Sequence, residues 1–225
     1  MIAAGQVTSP QASEALETLC RTYWYPVYAF LRREGHGAED AQDLAQTYFE
    51  RLLLKNYPAQ ADPHKGRFRS FLLLTLRHFL RDETDKRRAQ KRGGGRAPVP
   101  IDGTHAEGRY RLEVAHHLTP EKLFERRWAQ TVLEETVRAL ERECAGESRS
   151  RQFQVLRSFL PGGQGEEDSY AAAGAQLGLG ESAVKAAIHR LRIRYRERIR
   201  EQIAHTVANP AEVEDELRHL VSLMG

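Results

Sequence analysis

Apolar residues recur along most of this chain at spacings of three and four, the pattern of helices that bury one side. Leu16, Leu19, Tyr23, Val27, Phe30 and Leu31 trace a first stripe, and Pro26 within it is expected to kink or interrupt the helix. Ala41, Leu44, Ala45, Tyr48, Phe49, Leu52 and Leu53 trace a second, introduced by a loop around Gly35 and Gly37. Its other side carries Asp40, Asp43, Thr47 and Glu50, with Gln46 nearby. A third helix, over about residues 67–88, places Phe68, Phe71, Leu72, Leu76, Phe79 and Leu80 on its stripe. That regular spacing reads its phenylalanines as core. No alternating stretch of strand length is present, so the chain is expected to be all-α.

Beyond this block the punctuation changes. Residues 91–110 are polar and dense in Gly and Pro, which predicts a flexible linker that does not pack as an element. Continued to Thr119, the linker could reach about 90 Å if fully extended. Thr119 is then the expected N-cap of a new helix with Pro120 at its first position. Residues 151–160 predict another helix, ended by Pro161 and Gly162.

Residues 169–200 read as two helices joined by a tight glycine turn, with Gly178 in the left-handed conformation that stops the first. Val184, Ile188, Leu191 and Tyr195 define the apolar side of the second helix. Lys185, Ala186, His189 and Arg190 fall on a different face near its start, where a helix-turn-helix reader presents side chains to base edges. Arginines 192, 194, 196, 198 and 200 follow. In the tail, Asn209 and Pro210 can start a short helix whose apolar stripe is Val213, Leu217, Leu220 and Val221. That helix is expected to pack on the C-terminal domain, with a masking, regulatory role as the alternative.

Charge adds segregation rather than excess. The 34 Lys and Arg against 31 Asp and Glu give a net charge of only +3, but basic residues gather at 77–96 and 185–200 and acidic ones at 39–50 and 212–216. This suits a chain that touches nucleic acid with some surfaces and protein with others. The longest apolar run, residues 71–76, is far too short to span a bilayer, so no membrane insertion is expected. The first residues lack a basic region followed by an apolar one, so no secretory signal is visible. Cys20 and Cys144 stand far apart without CxxC spacing, which argues against zinc or a disulfide framework. A cytoplasmic, reduced protein without metal or cofactor is the expectation.

Asp43, Gln46 and Phe49 form an Asp-x-x-Gln-x-x-Phe helix ahead of an aromatic and basic helix, a linker and a helix-turn-helix. In that order of parts, over about residues 12–204, the chain resembles a bacterial RNA polymerase sigma factor of the small, extracytoplasmic-function type. The resemblance implies a region-two domain at residues 12–92, a linker at 93–119, a region-four domain at 120–204 and an extension at 205–225. It implies that Asp40, Asp43, Gln46, Thr47 and Glu50 face core RNA polymerase. It implies that Arg77, His78, Arg81, Lys86, Arg87 and Arg88 hold the opened minus-ten strand of promoter DNA. Relatives frequently carry Asn where this chain has His78.

In the region-four part, the resemblance makes Lys185, Ala186, His189 and Arg190 the base-facing residues over the minus-thirty-five element. Arg192, Arg194 and Arg196 would touch phosphates or the polymerase flap. Ala171 and Ala172 replace usual acidic residues, and Ala173 and Gly174 replace Ile and Ala. Gly174 would either weaken its helix or allow a closer approach of its partner. An anti-sigma factor is a partner the resemblance leaves open.

The function expected is therefore non-catalytic: promoter recognition and transcription initiation with core polymerase. The alternative is a duplex-binding regulator that uses the same helix-turn-helix without polymerase. A metal-dependent hydrolase built on His105, His116 and His117 is disfavoured, because adjacent histidines on a helix diverge by about 100° and no ligand spacing flanks them.

Overall fold

A computed structural model describes residues 10–54, 67–90, 106–108, 110, 118–161, 170–204, 207 and 210–224. Among these residues the fold is all-helical and contains no strand. The helices are α1 (Pro10–Arg33), α2 (Ala38–Leu54), α3 (Phe68–Gln90), α4 (Pro120–Glu143), α5 (Glu147–Leu156), α6 (Tyr170–Leu177), α7 (Glu181–Ala204) and α8 (Val213–Ser222). Short 3-10 turns at Arg157–Phe159 and Pro210–Glu212 follow α5 and precede α8. Contacts divide the chain into two compact units, Met1–Thr131 with Ile203–Gly225, and Val132–Gln202. The division falls inside α4.

In the first unit the apolar stripes form one core. Leu19, Tyr23, Val27, Phe30 and Leu31 of α1 are buried, as are Ala41, Leu44, Ala45, Tyr48, Phe49 and Leu52 of α2. Pro26 does not interrupt α1. It lacks the N–H that would bond the Thr22 carbonyl, yet flanking residues 23 and 27–31 are buried and hold the turn in place. Gly35, at φ +98°, then reverses the chain, and the His36 N–H donates to the Leu31 carbonyl at 3.2 Å to close the end of α1. The Tyr48 hydroxyl donates to the Leu72 carbonyl at 2.9 Å, joining α2 to α3. Phe68 and Phe79 are core, as their spacing required, and Phe71 is partly buried. Thr119 caps α4, its Oγ1 accepting the Lys122 N–H at 3.3 Å, and Leu123, Phe124 and Trp128 close over this core.

Part of the Gly- and Pro-rich stretch does pack: residues 106–108 form a helical turn, and Ala106 and Tyr110 are buried. Glu107 accepts hydrogen bonds from the Tyr28 hydroxyl at 2.5 Å and from Arg32 Nε and Nη2 at 2.9 and 3.0 Å. The Arg32 guanidinium also lies 5.0 Å from the Tyr110 ring centroid. A bidentate arginine–carboxylate pair flanked by aromatic rings outweighs the local preference for loop. The glycines at residues 93–95 lie outside the described residues.

The tail helix α8, expected on the C-terminal domain, belongs instead to the first unit. Its Glu216 is buried, 2.9 Å from Arg67 Nε and in contact with buried Arg69. Leu220 is buried, but Val221 is 64% exposed, so the packed side is rotated away from the expected stripe to admit Glu216. Arg69 lies 5.0 Å over the Trp128 ring and 3.5 Å from Glu125, which supplies the second charge and the flat apolar face that a buried guanidinium needs.

The second unit is built on Leu156, Phe159, Ala173, Val184, Ala187 and Ile188, with Val155, Tyr170, Leu177 and Leu191 partly buried around them. Tyr195, on the predicted apolar side of α7, is buried as well. Cys20 and Cys144 are both free thiols, half-buried, and burial pushes the Cys20 thiol up from its ordinary value.

Candidate nucleic-acid interface

The turn between α6 and α7 sets the geometry of the candidate reader. Gly178 takes φ +67° and ends α6. The Leu179 N–H reaches back to the Gly174 carbonyl at 2.9 Å, the closure expected after a left-handed glycine. Gly180 then caps α7, its carbonyl accepting the Val184 N–H at 3.1 Å. A Cβ on Gly174 would lie 2.6 Å from the Leu179 carbonyl oxygen and 3.7 Å from Val184 Cγ2. Gly174 is therefore the residue that lets the turn and the start of α7 fold back closely on α6.

Helical periodicity sorts the next residues. Val184, Ala187 and Ile188 point into the core, while Lys185, Ala186, His189 and Arg190 are exposed together on another face. Lys185 Nζ sits 2.6 Å from the Glu181 carboxylate and 5.2 Å from the Tyr170 ring centroid. The hydrogen bond to Glu181 raises its pKa, so its charge is held at the mouth of this face.

The arginines that follow do not act alike. Arg192 donates from Nε and Nη2 to the Phe159 carbonyl at 3.2 and 3.0 Å, which closes the 3-10 turn after α5. Arg194 Nη2 pairs with Glu143 at 2.5 Å, and Arg198 shares the same carboxylate. Arg196 lies along α7 with Nε 3.3 Å from the Arg192 carbonyl and is exposed.

On α3, Arg77, His78, Arg81, Lys86 and Arg87 are all exposed, while the Arg88 side chain lies outside the described residues. Several of them are already engaged within the first unit. Arg77 pairs with Glu121 of α4, Lys86 with Glu83 at 2.7 Å, and Arg87 with Asp40 of α2 at 2.5 Å.

On α2, Asp40, Asp43, Gln46 and Thr47 are partly buried and Glu50 is exposed. Thr47 Oγ1 donates to the Asp43 carbonyl at 2.8 Å and Gln46 Nε2 to Glu50 at 3.0 Å. Asp40 is held by Arg87 and by His36 Nδ1 at 2.7 Å. Burial alone would raise the Asp40 carboxyl, but these two hydrogen bonds outweigh it and hold it below its ordinary value. Glu121 behaves in the same way: burial pushes it up, its own backbone N–H, Arg77 and Thr119 pull it down, and the net shift is downward.

No family model, curated protein or solved structure matches the chain.

No helix among the described residues is long and apolar enough to cross a membrane. No group of three or more His, Cys, Asp and Glu among them is placed to hold a metal ion, and His105, His116 and His117 lie outside them. The residues that pattern reading missed are Arg67, Arg69, Glu107, Glu121 and Glu216. Arg67 and Arg69 flank Phe68 in a Gly-Arg-Phe-Arg-Ser run, and nothing local marks their carboxylate partners.

Proposed function

We propose that this chain is a promoter-recognition subunit of the sigma type, which docks on core RNA polymerase and directs it to specific DNA. The observation that carries the nucleic-acid half of this reading is the exposed face of Lys185, Ala186, His189 and Arg190 on α7. It follows a turn whose two glycines have specific steric and conformational jobs. A helix presented after such a turn, with its N-terminal residues outward, fits the major groove. Lys and Arg there can donate to guanine edges.

What narrows the reading from any duplex binder to an initiation subunit is the resemblance of residues 40–50 and 67–88 to the polymerase-binding and strand-holding helices of that family. The exposed cations Arg77, Arg81 and Arg87 on α3, with exposed His78 beside them, support it, because an opened strand needs cations along its backbone. Within α7, Lys185, Ala186, His189 and Arg190 are the base-facing set. Arg196 is the better phosphate contact, since Arg192 and Arg194 hold the unit together. No catalytic role is proposed.

The test is reconstitution with core RNA polymerase on a random promoter library. Specific initiation that depends on the chain is the expected result. Selection of a duplex motif without co-purification of core enzyme would replace the reading with a polymerase-independent regulator.

A further inference from the structure

Arg67, Ser70, Leu74, Arg77, His78 and Arg81 recur at helical spacing and form one stripe about 21 Å long on α3. Ser70, Leu74, Arg77, His78 and Arg81 are exposed, and Leu74 is 54% exposed in the middle of the cations. Arg67 heads the stripe at the N-cap position, its carbonyl accepting the N–H groups of Ser70 and Phe71 at 2.9 and 3.1 Å. A stripe of cations around an exposed aliphatic side chain fits a single nucleic-acid strand, with phosphates on the arginines and a base against the leucine.

Two carboxylates from distant parts of the chain already sit on this stripe. Glu121, in the first turn of α4, pairs with Arg77. Glu216 of α8 pairs with Arg67 at 2.9 Å and with Arg69 beside it. The first turn of α4 and all of α8 fold into the same compact unit as α3. The two pairs are unequal. Arg77 and Glu121 are 56% and 35% exposed, whereas Arg69 and Glu216 are almost fully enclosed, at 3% and 4%.

We propose that Glu121 and Glu216 form an intramolecular acidic clamp that occupies the cationic stripe of α3 in place of a nucleic-acid strand. This rests on the strand-holding role given to α3 above. The clamp competes by charge: each carboxylate lies against a guanidinium that a phosphate would otherwise pair with, Glu121 on Arg77 and Glu216 on Arg67, so a strand must displace it to gain that contact. Glu121 releases first, because its pair is partly solvated and weak. Glu216 releases only with α8, since its charge is enclosed against Arg69 and Trp128. The tail helix is thus the stronger half of a graded self-inhibition.

The experiment measures binding of the full chain to a short single-stranded DNA of random sequence over a range of salt concentrations. Glu121→Gln is expected to raise affinity about two- to fivefold. It is also expected to steepen the dependence of log K on log salt by about 0.7, the value for one added phosphate contact on a single strand. Glu216→Gln should steepen the slope by a similar step and raise affinity by more than Glu121→Gln does. Adding Arg77→Ala to Glu121→Gln, or Arg67→Ala to Glu216→Gln, should cancel each gain.

Unchanged affinity and slope in Glu121→Gln overturns the clamp, as does a gain that survives Arg77→Ala. Because Glu216→Gln leaves Arg69 buried beside only Glu125, the surface variant Glu121→Gln keeps the test decisive even if the other unfolds. The reconstitution above separates the two readings. Specific initiation with unchanged slopes removes the clamp alone, whereas steepened slopes without initiation keep the clamp and remove the sigma reading.

Discussion

Arg87 of α3 donates a hydrogen bond of 2.5 Å to the Asp40 carboxylate of α2. Under the proposed function the two side chains answer to different partners, Arg87 to DNA and Asp40 to polymerase. Each therefore masks the other in the free chain. A protein partner that takes Asp40 leaves Arg87 with its charge outward, so the two engagements favour one another across a single ion pair. The size of this coupling is modest, because Arg87 is 51% and Asp40 35% exposed.

The same pair has a signature in acid. A carboxyl whose folded pKa is depressed stabilises the fold above its ordinary value, here 3.8, and loses that contribution as pH falls through the lower folded value. Asp40→Asn should therefore lower the free energy of urea unfolding slightly at neutral pH, by less than about 1 kcal/mol. The gap to wild type should close well below pH 3.8. A gap that stays constant with pH would show that Asp40 acts by packing alone.

Asp43→Arg tests the polymerase face, and it also replaces a negative charge that acts on Arg87. Asp43 is partly exposed, and its backbone carbonyl accepts from the Thr47 hydroxyl at 2.8 Å. The substitution should abolish association with core polymerase in a pull-down and leave the circular dichroism of the chain unchanged. Loss of helicity would make the acidic side of α2 a structural feature instead.

The enclosed pair Arg69–Glu216 predicts opposite outcomes for single and double replacement. Glu216→Ala leaves a guanidinium with lowered pKa, desolvated and crowded by Arg67, and should cost about 3–5 kcal/mol in chemical unfolding. Arg69→Met with Glu216→Leu removes both charges at similar volume and should restore most of that stability. A double variant as unstable as the single one would show that the pair is not what fixes α8.

Along α7, variants should separate readers from braces. Lys185→Ala or Arg190→Ala should cost about 1–3 kcal/mol on the preferred duplex and relax preference at one position. Arg192→Ala instead removes two donors from the Phe159 carbonyl. It should lower stability by about 1 kcal/mol and weaken binding to all sequences alike. Band shifts on matched and mismatched duplexes, read beside thermal unfolding, distinguish the two behaviours.

Much of this architecture was legible locally. The stripes of α2 and α7 follow from spacing alone, and Thr119 and Gly178 start and stop helices where their chemistry says they should. The long-range pairs were not legible. Arg69 and Glu216 are 147 residues apart and Tyr28 and Glu107 are 79 apart, and a charged residue carries no periodic signal that announces burial. For the same reason a linker composition conceals the packed turn at residues 106–108, and the apolar stripe of α8 does not announce that Glu216 fixes it to the first unit. The candidate reader face was legible because it lies on one helix. The bracing roles of Arg192 and Arg194 were not, because their partners lie on other elements.

Gly174 gives the last prediction and reverses a propensity rule. In a helix interior, replacing glycine by alanine ordinarily stabilises by roughly 1 kcal/mol. Here the added Cβ would lie 2.6 Å from the Leu179 carbonyl oxygen, which belongs to backbone and cannot rotate aside. Leu179 is itself tied to Gly174 by the 2.9 Å hydrogen bond that closes α6, so relief of the clash means opening the turn. Gly174→Ala should therefore destabilise the second unit by about 1–3 kcal/mol and reduce duplex binding with it. Gly178→Ala meets no atom within 4 Å but must hold φ +67°, and its cost should stay near about 1 kcal/mol. Urea unfolding of the two variants beside wild type checks the order. A Gly174→Ala protein more stable than wild type would show that the turn has slack, and would return Gly174 to a simple weakening of its helix.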